Sequence, residues 1–464
     1  MTCHAGLAQD ARARGASRRA DRESTMRHAA PLVLVVLLLA PLALPGAAAQ
    51  EEPTHGRPAV PDEAAKEAED EEKVFSWNGD LKLAGLAQRG QYFGSADQPD
   101  PDGNYAWGEG GLLLEAHWRP ADWVRFDVGG AATWTLGDDA YGTGTETQFL
   151  FYRAEVLFPD IGGSGVDVTI GQQNVQVGDG LLISDAFRSE KAALWLNPIY
   201  FLDALRVDWN GDSGFGATGY AFLLDRTTGE TEDGYGWGAE LRWKSSEEGP
   251  EVAFDYVARH DTGPVSNDAR AAWLRGTLPF GPVTLGGDYV WEFGRIGDAD
   301  YDAGAWYAYL KWALPTELDN YFTLHYAFFS GDDPATPEQE GYFPWYYGDT
   351  DWSQWFIGDI VGSTLNDNTD EKALWLEAAW TPVEPLLLRA YLHRLWVDTG
   401  AYHGVPPGVG NEFADEVDLT AEWTISERFD LWGVIGWARP LEAAEAVYGD
   451  DTIEEIAAVF EWHF

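Results

Sequence analysis

Eighteen stretches of the sequence alternate apolar and polar residues, and no helical domain separates them. The last stretch shows the pattern clearly, because Ile456, Ala458, Phe460, Trp462 and Phe464 recur at every second position. A period of two places successive side chains on opposite faces of a β-strand. Repeated this many times, the pattern indicates a membrane β-barrel with lipid outside and water inside.

The alternation predicts an all-β fold, a transmembrane antiparallel up-and-down barrel of about 18 strands with a water-filled lumen. Most stretches have the roughly 9–11 residues that a tilted strand needs to cross a bilayer. The predicted strands are 76–91, 107–119, 123–135, 147–158, 165–173, 202–210, 215–224, 234–244, 251–260, 269–279, 283–294, 303–313, 321–330, 372–381, 386–397, 415–425, 429–438 and 454–464.

The connections between the predicted strands differ in length according to their parity. Links after even-numbered strands are short, such as 280–282, whereas links after odd-numbered strands include the long segments 174–201 and 331–371. Short periplasmic turns and long outer loops are typical of bacterial outer-membrane barrels. The two long links are the segments that we expect to fold inward or to cap the mouth of the pore.

Aromatic residues end most of the even-numbered strands, which would place them together at the periplasmic interface. Trp and Tyr favour that depth because an apolar ring and a polar tip both find suitable surroundings there. The predicted girdle consists of Trp118, Phe158, Trp209, Trp243, Trp312, Trp380, Trp423 and Phe464.

The N-terminal region carries an apolar run, 31–49, that is interrupted by Pro41 and Pro45 and ends in small residues. This pattern predicts a secretory signal peptide, with a retained membrane anchor as the alternative. We expect translation to start at Met26. The predicted organisation is an N-terminal extension and signal peptide over 1–49, an acidic periplasmic linker over 50–74 and an outer-membrane barrel over 75–464.

The formal net charge of −47 argues against nucleic acid as a partner. Acidic surface loops that bind divalent cations beside lipid headgroups would explain the charge, and a salt-adapted source would explain it equally well. Carboxylates in the two long links could hold Ca²⁺, with a solvated acidic loop as the alternative. Apart from that Ca²⁺, no cofactor and no metal site is predicted.

Phasing the strands by their alternation places charged residues on the inward face. Opposite charges recur two positions apart, as in Arg125 with Asp127 and Arg153 with Glu155. They could form a structural lattice of ion pairs or a charged track that selects a solute. The inward acids are Asp127, Glu155, Asp167, Asp208, Glu240, Asp255, Asp288, Glu377, Asp418 and Glu422. The candidate pore-lining residues are Arg125, Arg153, Arg206, Arg242, Arg259, Arg275 and Arg389, with Asp179, Asp332 and Asp333 shaping the constriction.

The same phasing assigns outward faces to several strands. In 147–158 it predicts that Leu150, Tyr152 and Ala154 face lipid, with Arg153 and Glu155 facing the lumen. A charge on the lipid side would cost roughly 2–4 kcal/mol at mid-membrane, so charged residues belong on the water side.

The sequence contains no constellation with catalytic or zinc-ligand spacing, and its histidines are scattered. We therefore predict that the protein is not an enzyme and has no catalytic residues.

Two segments resemble the alginate-export family of outer-membrane barrels. The first is Ile170-Gly171-Gln172-Gln173 followed by 178–182, and the second is 326–334 followed by 343–346. The resemblance implies an 18-stranded barrel that passes a polysaccharide outward, with lumenal arginines guiding an anionic polymer and with periplasmic export partners. The chain departs from the family at Gln172, where the family has arginine, and its inward acids outnumber its inward arginines.

These features predict an integral bacterial outer-membrane channel for the passive passage or export of a polysaccharide or other hydrophilic solute. Its partners would be outer-membrane lipid and that solute. The alternatives are a general or a sugar- or anion-selective porin, an outer-membrane enzyme, and an adhesive barrel with a plugged lumen.

Overall fold

The structure is a computed structural model that describes part of the chain. The described residues are 74–90, 93, 105–138, 147–175, 177–178, 180–183, 202–211, 214–224, 234–246, 249–261, 267–316, 318–343, 345, 361 and 368–464. The predicted signal peptide and almost all of the predicted linker lie outside these residues, as does Asp179, and those assignments stay predictions.

Eighteen strands, one short α-helix, α1 (Glu442–Val447), and one 3₁₀ turn (Ile161–Gly163) form the described fold. All eighteen predicted strands overlap an observed strand. The strands are β1 (Phe75–Arg89), β2 (Tyr105–Ala121), β3 (Val124–Asp138), β4 (Thr147–Phe158), β5 (Val166–Gln173), β6 (Leu202–Asn210), β7 (Phe215–Leu224), β8 (Gly234–Lys244), β9 (Glu251–Asp261), β10 (Asn267–Phe280), β11 (Val283–Ile296), β12 (Ala299–Ala313), β13 (Tyr321–Phe329), β14 (Glu371–Val383), β15 (Leu386–Val397), β16 (Glu412–Ser426), β17 (Phe429–Pro440) and β18 (Ile453–His463).

The sheet closes on itself because β1 pairs with both β2 and β18. The closing register runs from Asp80 opposite His463 to Arg89 opposite Glu454. Each strand is antiparallel to its two neighbours around the ring, as the prediction of an up-and-down barrel requires. A closed ladder leaves no strand edge without backbone partners, which is a condition for crossing hydrocarbon. Among the described residues, no helix is both long enough and apolar enough to span a membrane.

The alternation of the sequence becomes two chemically different faces of the barrel wall. On β8, Tyr235, Trp237 and Leu241 are exposed on the outer surface, whereas Glu240 is buried on the inner surface. The outer surface is apolar over the length of most strands, as the lipid face of a barrel must be. The closed barrel and its apolar outer band are those of an integral outer-membrane protein.

Aromatic side chains ring the end of the barrel that carries the short turns. Trp118, Trp209, Trp312 and Trp380 lie there with exposed side chains, as the predicted girdle requires. Phe75, Trp77, Trp123, Phe215 and Phe280 extend the same ring from the adjoining strand ends and turns. We call this end the short-turn end and the opposite one the long-loop end.

The parity of the connections is confirmed. The short-turn end has links such as 281–282 and 384–385, and the long-loop end carries 174–201 and 330–370. One link at the long-loop end, 297–298, is also short, and there Gly297 adopts the left-handed conformation that a tight turn requires.

The predicted outward faces of Leu150 and Tyr152 are wrong. A β-bulge shifts the register between Gly129–Gly130 of β3 and β4, so that Gly129 opposes Arg153 and Gly130 opposes Phe151. Tyr152 is the extra residue, and its hydroxyl donates a 2.6 Å hydrogen bond to Glu115 on the inner face. Because a bulge reverses the alternation, Phe149 and Phe151 take the lipid-facing positions instead.

At the long-loop end, aromatic residues from two loops and from the start of β16 pack around His403. The ring of His403 lies 4.7 Å from that of Phe413, and its Nδ1 is 2.8 Å from the Tyr448 hydroxyl. Phe93 packs against both Phe413 and Tyr448 and is fully buried. Burial lowers the pKa of His403 from 6.5 to about 4, because the charged imidazolium would lose its hydration.

Substitution of Leu324 by arginine tests the lipid face. Leu324 lies in the middle of β13 and is exposed on the outer surface. Leu324→Arg should lower the free energy of unfolding in lipid vesicles by roughly 2–4 kcal/mol. Val383→Arg is the matched control, because Val383 is exposed at the short-turn end of β14, seven positions beyond the Leu376 that pairs with Leu324, and it should cost about 0–1 kcal/mol. Equal costs at the two depths would contradict the assigned membrane position.

The cluster around His403 should open as the pH falls. Its folded pKa lies below the unfolded value, so between pH 6.5 and about 4 the open state binds more protons. At pH 5 the open population should rise about twentyfold relative to pH 7. Hydrogen–deuterium exchange of segment 398–411, corrected for intrinsic rates, would show the rise. The variant His403→Phe should show no such rise, and an equal response in that variant would assign it to another group.

Candidate functional site

The two long loops meet inside the barrel, which confirms the predicted inward folding for their described parts. Leu181, Leu182 and Ile183 of the β5–β6 loop and Tyr342 of the β13–β14 loop are fully buried. The Tyr342 hydroxyl donates a 3.0 Å hydrogen bond to the Leu181 carbonyl. The two loops therefore narrow the lumen together.

Two inward carboxylates on distant strands hold the β13–β14 loop. Glu292 on β11 accepts a 3.2 Å hydrogen bond from the Phe343 backbone N–H and one from the Tyr301 hydroxyl. Glu416 on β16 accepts a 2.8 Å hydrogen bond from the Val361 N–H. Because β11 and β16 lie on separate parts of the wall, the loop is fastened at two places inside the barrel.

A pocket of about 220 Å³ lies between the β5–β6 loop and the wall formed by β6 to β10. We call it the arginine pocket, because three guanidinium groups line it. Gly178 lies directly against Arg275, and a Cβ at Gly178 would come within 2.8 Å of the Arg275 Nε. The lining residues are Val175, Val177, Gly178, Arg206, Thr218, Tyr220, Glu240, Arg242 and Arg275.

Each guanidinium of the arginine pocket has a carboxylate partner on the wall. Arg206 pairs with Asp208 at 2.8 Å, and Arg242 pairs with Glu240 at 2.9 Å. Arg275 bonds to Glu240 and lies 3.3 Å from Asp255. Two of these pairs are spaced by two residues on one strand, which is the spacing that the sequence suggested.

The paired charges are not equally accessible. The side chains of Arg206, Arg242 and Arg275 are 33%, 31% and 16% exposed, and those of Asp208, Glu240 and Asp255 are 15%, 8% and 0% exposed. The carboxylates therefore lie behind the guanidinium groups. The guanidinium groups are therefore the more exposed charged groups of the pocket, although the formal charges nearly cancel.

Two aromatic rings lie flat against the wall beside the pocket. Tyr220 and Phe222 of β7 cover Gly238 and Gly236 of β8, where a Cβ would come within 2.4 Å and 2.1 Å of the rings. Glycine at these two positions leaves room for the rings to lie along the strand, which keeps them out of the lumen.

A second set of charges lies on β2, β3 and β4. Arg125 bonds to Asp127 at 2.9 Å, and Arg153 bonds to Glu155 at 2.6 Å and to Glu115 at 3.3 Å. Here too Asp127 and Glu155 are more deeply buried than the arginines that they bind. The arrangement therefore repeats that of the arginine pocket.

The remaining two predicted arginines differ from each other. Arg259, near the long-loop end of β9, makes a bond of 2.8 Å to the buried Asp261 and keeps part of its surface accessible. Arg389 on β15 is buried between Glu422 and Glu377, and here the carboxylate of Glu422 is the more exposed group. Six of the seven predicted arginines thus keep part of their side chains exposed, whereas Arg389 is almost fully buried, and contact of any of them with a solute stays a prediction.

Asp332 and Asp333 act as local acceptors in the β13–β14 loop. Asp332 accepts a 2.9 Å hydrogen bond from the Glu340 N–H, and Asp333 accepts one of 2.9 Å from the Ala335 N–H. They shape the loop on which Tyr342 lies. Contact of either residue with a solute stays a prediction.

Sequence reasoning missed the contacts that hold the loops. The tethering residues Tyr342, Glu292 and Glu416 had no distinguishing motif, because each contact joins residues that are far apart in the chain. The alternation of β11 and β16 does indicate that Glu292 and Glu416 face inward, because the residues on either side of each face outward.

No protein-family model matches the sequence, and no curated protein matches it. The fold is similar to solved outer-membrane channels. Acinetobacter baumannii OccAB1 has a TM-score of 0.56 at 11% identity, covering 84% of this chain and 97% of that one. OprD from Pseudomonas aeruginosa has a TM-score of 0.54 at 14% identity, with 84% and 93% covered. A structure of Pseudomonas aeruginosa OpdK with vanillate has a TM-score of 0.52 at 12% identity, with 84% and 98% covered.

These similarities show the fold, an 18-stranded outer-membrane barrel, and they do not single out the alginate-export family. The family resemblance seen in two short sequence segments therefore stays an expectation. The architecture itself agrees with the prediction of a closed antiparallel barrel.

Removal of the Tyr342 hydroxyl tests the contact between the loops. Tyr342→Phe leaves the buried Leu181 carbonyl without this donor, a loss of about 1–3 kcal/mol. We expect larger current fluctuations in single-channel recordings, because the loops separate more often. Tyr289→Phe changes a hydroxyl on the outer surface and is the control. Unchanged fluctuations in Tyr342→Phe would show that this hydrogen bond does not hold the constriction.

Proposed function

We propose that the protein is a passive outer-membrane channel that favours small hydrophilic solutes bearing a carboxylate. The observation that carries the proposal is the order of charges in the arginine pocket, where guanidinium groups lie in front of the carboxylates that neutralise them. Guanidinium donors form strong, directional hydrogen bonds with carboxylate oxygens.

The paired acids favour transport over tight binding. An unpaired arginine would hold an anion firmly, whereas a guanidinium already bonded to Asp208, Glu240 or Asp255 offers only the part of its surface that stays exposed. Conduction requires that a solute bind well enough to enter and weakly enough to leave. Partly satisfied arginines meet both requirements.

The size of the pocket supports a small solute. The loops leave about 220 Å³ beside the three arginines, which suits a single sugar acid or aromatic acid. The likeness to OpdK with vanillate is consistent with this class, because vanillate is an aromatic carboxylate.

Export of an anionic polysaccharide is the second candidate, and the family resemblance suggests it. One observation favours it, namely that the accessible arginines occur at several depths of the lumen. Arg125 and Arg242 lie near the short-turn end, Arg206 and Arg275 near mid-strand, and Arg259 near the long-loop end. A polymer with a carboxylate on each sugar could engage several of them at once.

Gluconate and glucose form a matched pair of probes, since they are similar in size and differ in charge. Liposomes with the purified barrel should take up gluconate faster than glucose. Arg242→Gln should reduce that preference about 3–10-fold, because it removes an accessible charged donor while Glu240 keeps its bond to Arg275. High salt should also weaken the preference, because the Debye length falls from about 10 Å at 0.1 M to 3 Å at 1 M.

Arg295→Gln is the control for this variant. Arg295 lies at the exposed long-loop end of β11, away from the arginine pocket, and its contact with Asp300 is long, at 4.0 Å. Equal uptake of the two probes by the native barrel would remove the proposal and leave a general porin. Oligouronates separate the two candidates, since uptake that persists as the chain lengthens would favour polysaccharide export.

A further inference from the structure

We propose that the lumenal face at the short-turn end contains a site for a divalent transition-metal ion, formed by Asp80, Glu461 and His463. The site is separate from the arginine pocket and does not depend on the proposed carboxylate preference. Zn²⁺ is the natural probe, because it accepts both imidazole nitrogen and carboxylate oxygen ligands.

The closing register of the barrel brings the three residues together. Asp80 of β1 lies directly opposite His463 of β18, and Lys82 lies opposite Glu461. Because Asp80 and Lys82, like Glu461 and His463, are two positions apart, all four side chains share the inward face. One possible ligand atom from each of Asp80, Glu461 and His463 lies within 4.8 Å of the other two.

This separation is compatible with an ion at their centre. Zinc lies about 2.0–2.2 Å from nitrogen and carboxylate oxygen ligands, so small side-chain movements would complete the three bonds. Three protein ligands leave further coordination positions for water. The ligands come from the two strands that close the barrel, which hold them through a continuous backbone ladder.

The surroundings of His463 orient its ring for this role. Its Nδ1 lies 2.7 Å from Asp80 Oδ1, and its Nε2 lies 2.7 Å from Asp430 Oδ2 on β17. With the metal on Nδ1, the Nε2–H would donate to Asp430. A carboxylate in that position fixes the orientation of a metal-bound histidine and raises its basicity.

Asp430 provides a second observation that points to a cation. It is only 8% exposed, and within the described part of the chain its Oδ1 has no hydrogen-bond partner. A buried carboxylate oxygen that lacks a donor is costly. A cation bound next to His463 would stabilise that negative charge.

Lys82 would compete with a metal ion for the Glu461 carboxylate. Its Nζ lies 2.7 Å from Glu461 Oε1, so the lysine ammonium partly neutralises the three carboxylates of Asp80, Asp430 and Glu461. A metal ion would have to displace Lys82 from Glu461. The affinity of the site should therefore rise when the ammonium is removed.

His117 provides the matched comparison within the same lumen. It also bonds to a carboxylate, with its Nδ1 at 2.7 Å from Asp127, and it lies 3.7 Å from Glu115. There the carboxylates are already bound by Arg125 and Arg153. We therefore expect no metal site at His117.

Zinc binding to the purified full-length barrel, without an affinity tag, tests the proposal. Titration against a chromogenic zinc indicator would be done in detergent, with excess Ca²⁺ to occupy nonspecific acidic surfaces. We expect one Zn²⁺ per chain with micromolar affinity. His463→Gln should weaken binding at least tenfold, His117→Gln should leave it unchanged, and Lys82→Met should strengthen it. Asp430→Asn should weaken it about 10–100-fold without removing a ligand.

X-ray absorption of the zinc-loaded native barrel gives an independent readout if a variant fails to fold. The proposal requires one imidazole nitrogen among oxygen ligands. Absence of stoichiometric binding would overturn the proposal, as would equal binding in the native barrel and His463→Gln. A zinc spectrum without imidazole would overturn it too.

Discussion

The hydrogen-bond ladder between β1 and β18 closes the sheet into a barrel, and without it the chain could not cross a membrane. A sheet with two open edges would expose unpaired N–H and C=O groups to hydrocarbon, at a cost of several kcal/mol for each group. Pairing Asp80–Arg89 with Glu454–His463 removes both edges. It also defines an inside and an outside, and only then can the two-residue alternation separate water-facing charges from lipid-facing apolar residues.

Closure of the sheet places the inward charged residues inside a lumen, where arginines and acids form ion pairs along the strands. Arginines spaced by two from acids bond along the strand, and the acids lie closer to the wall than the guanidinium groups. Within each of these pairs the formal charges cancel, while the guanidinium group is the more exposed partner. In the proposed function the same ion pair has both roles, because it braces the wall and leaves part of the guanidinium surface exposed on the inner face.

The sequence predicted the positions of the strands and most of the inward residues, because a wall with one apolar face and one polar face requires the two types of residue to alternate. It failed where one extra residue reversed the phase, as at Tyr152, since a bulge leaves no mark in the alternation. It also could not distinguish Arg389, which is buried between two acids, from the accessible Arg242. The contact of Tyr342 with Leu181 was beyond prediction, because it joins two loops that are 161 positions apart.

The reversal potential of a single channel in a KCl gradient distinguishes a pore controlled by its guanidinium groups from one controlled by overall charge. The chain carries a formal net charge of −47, so a pore governed by overall charge would prefer K⁺. If accessible guanidinium groups control the constriction, the channel will prefer Cl⁻. A preference for K⁺ would contradict the account, because the carboxylates would then be the groups that a permeating ion meets.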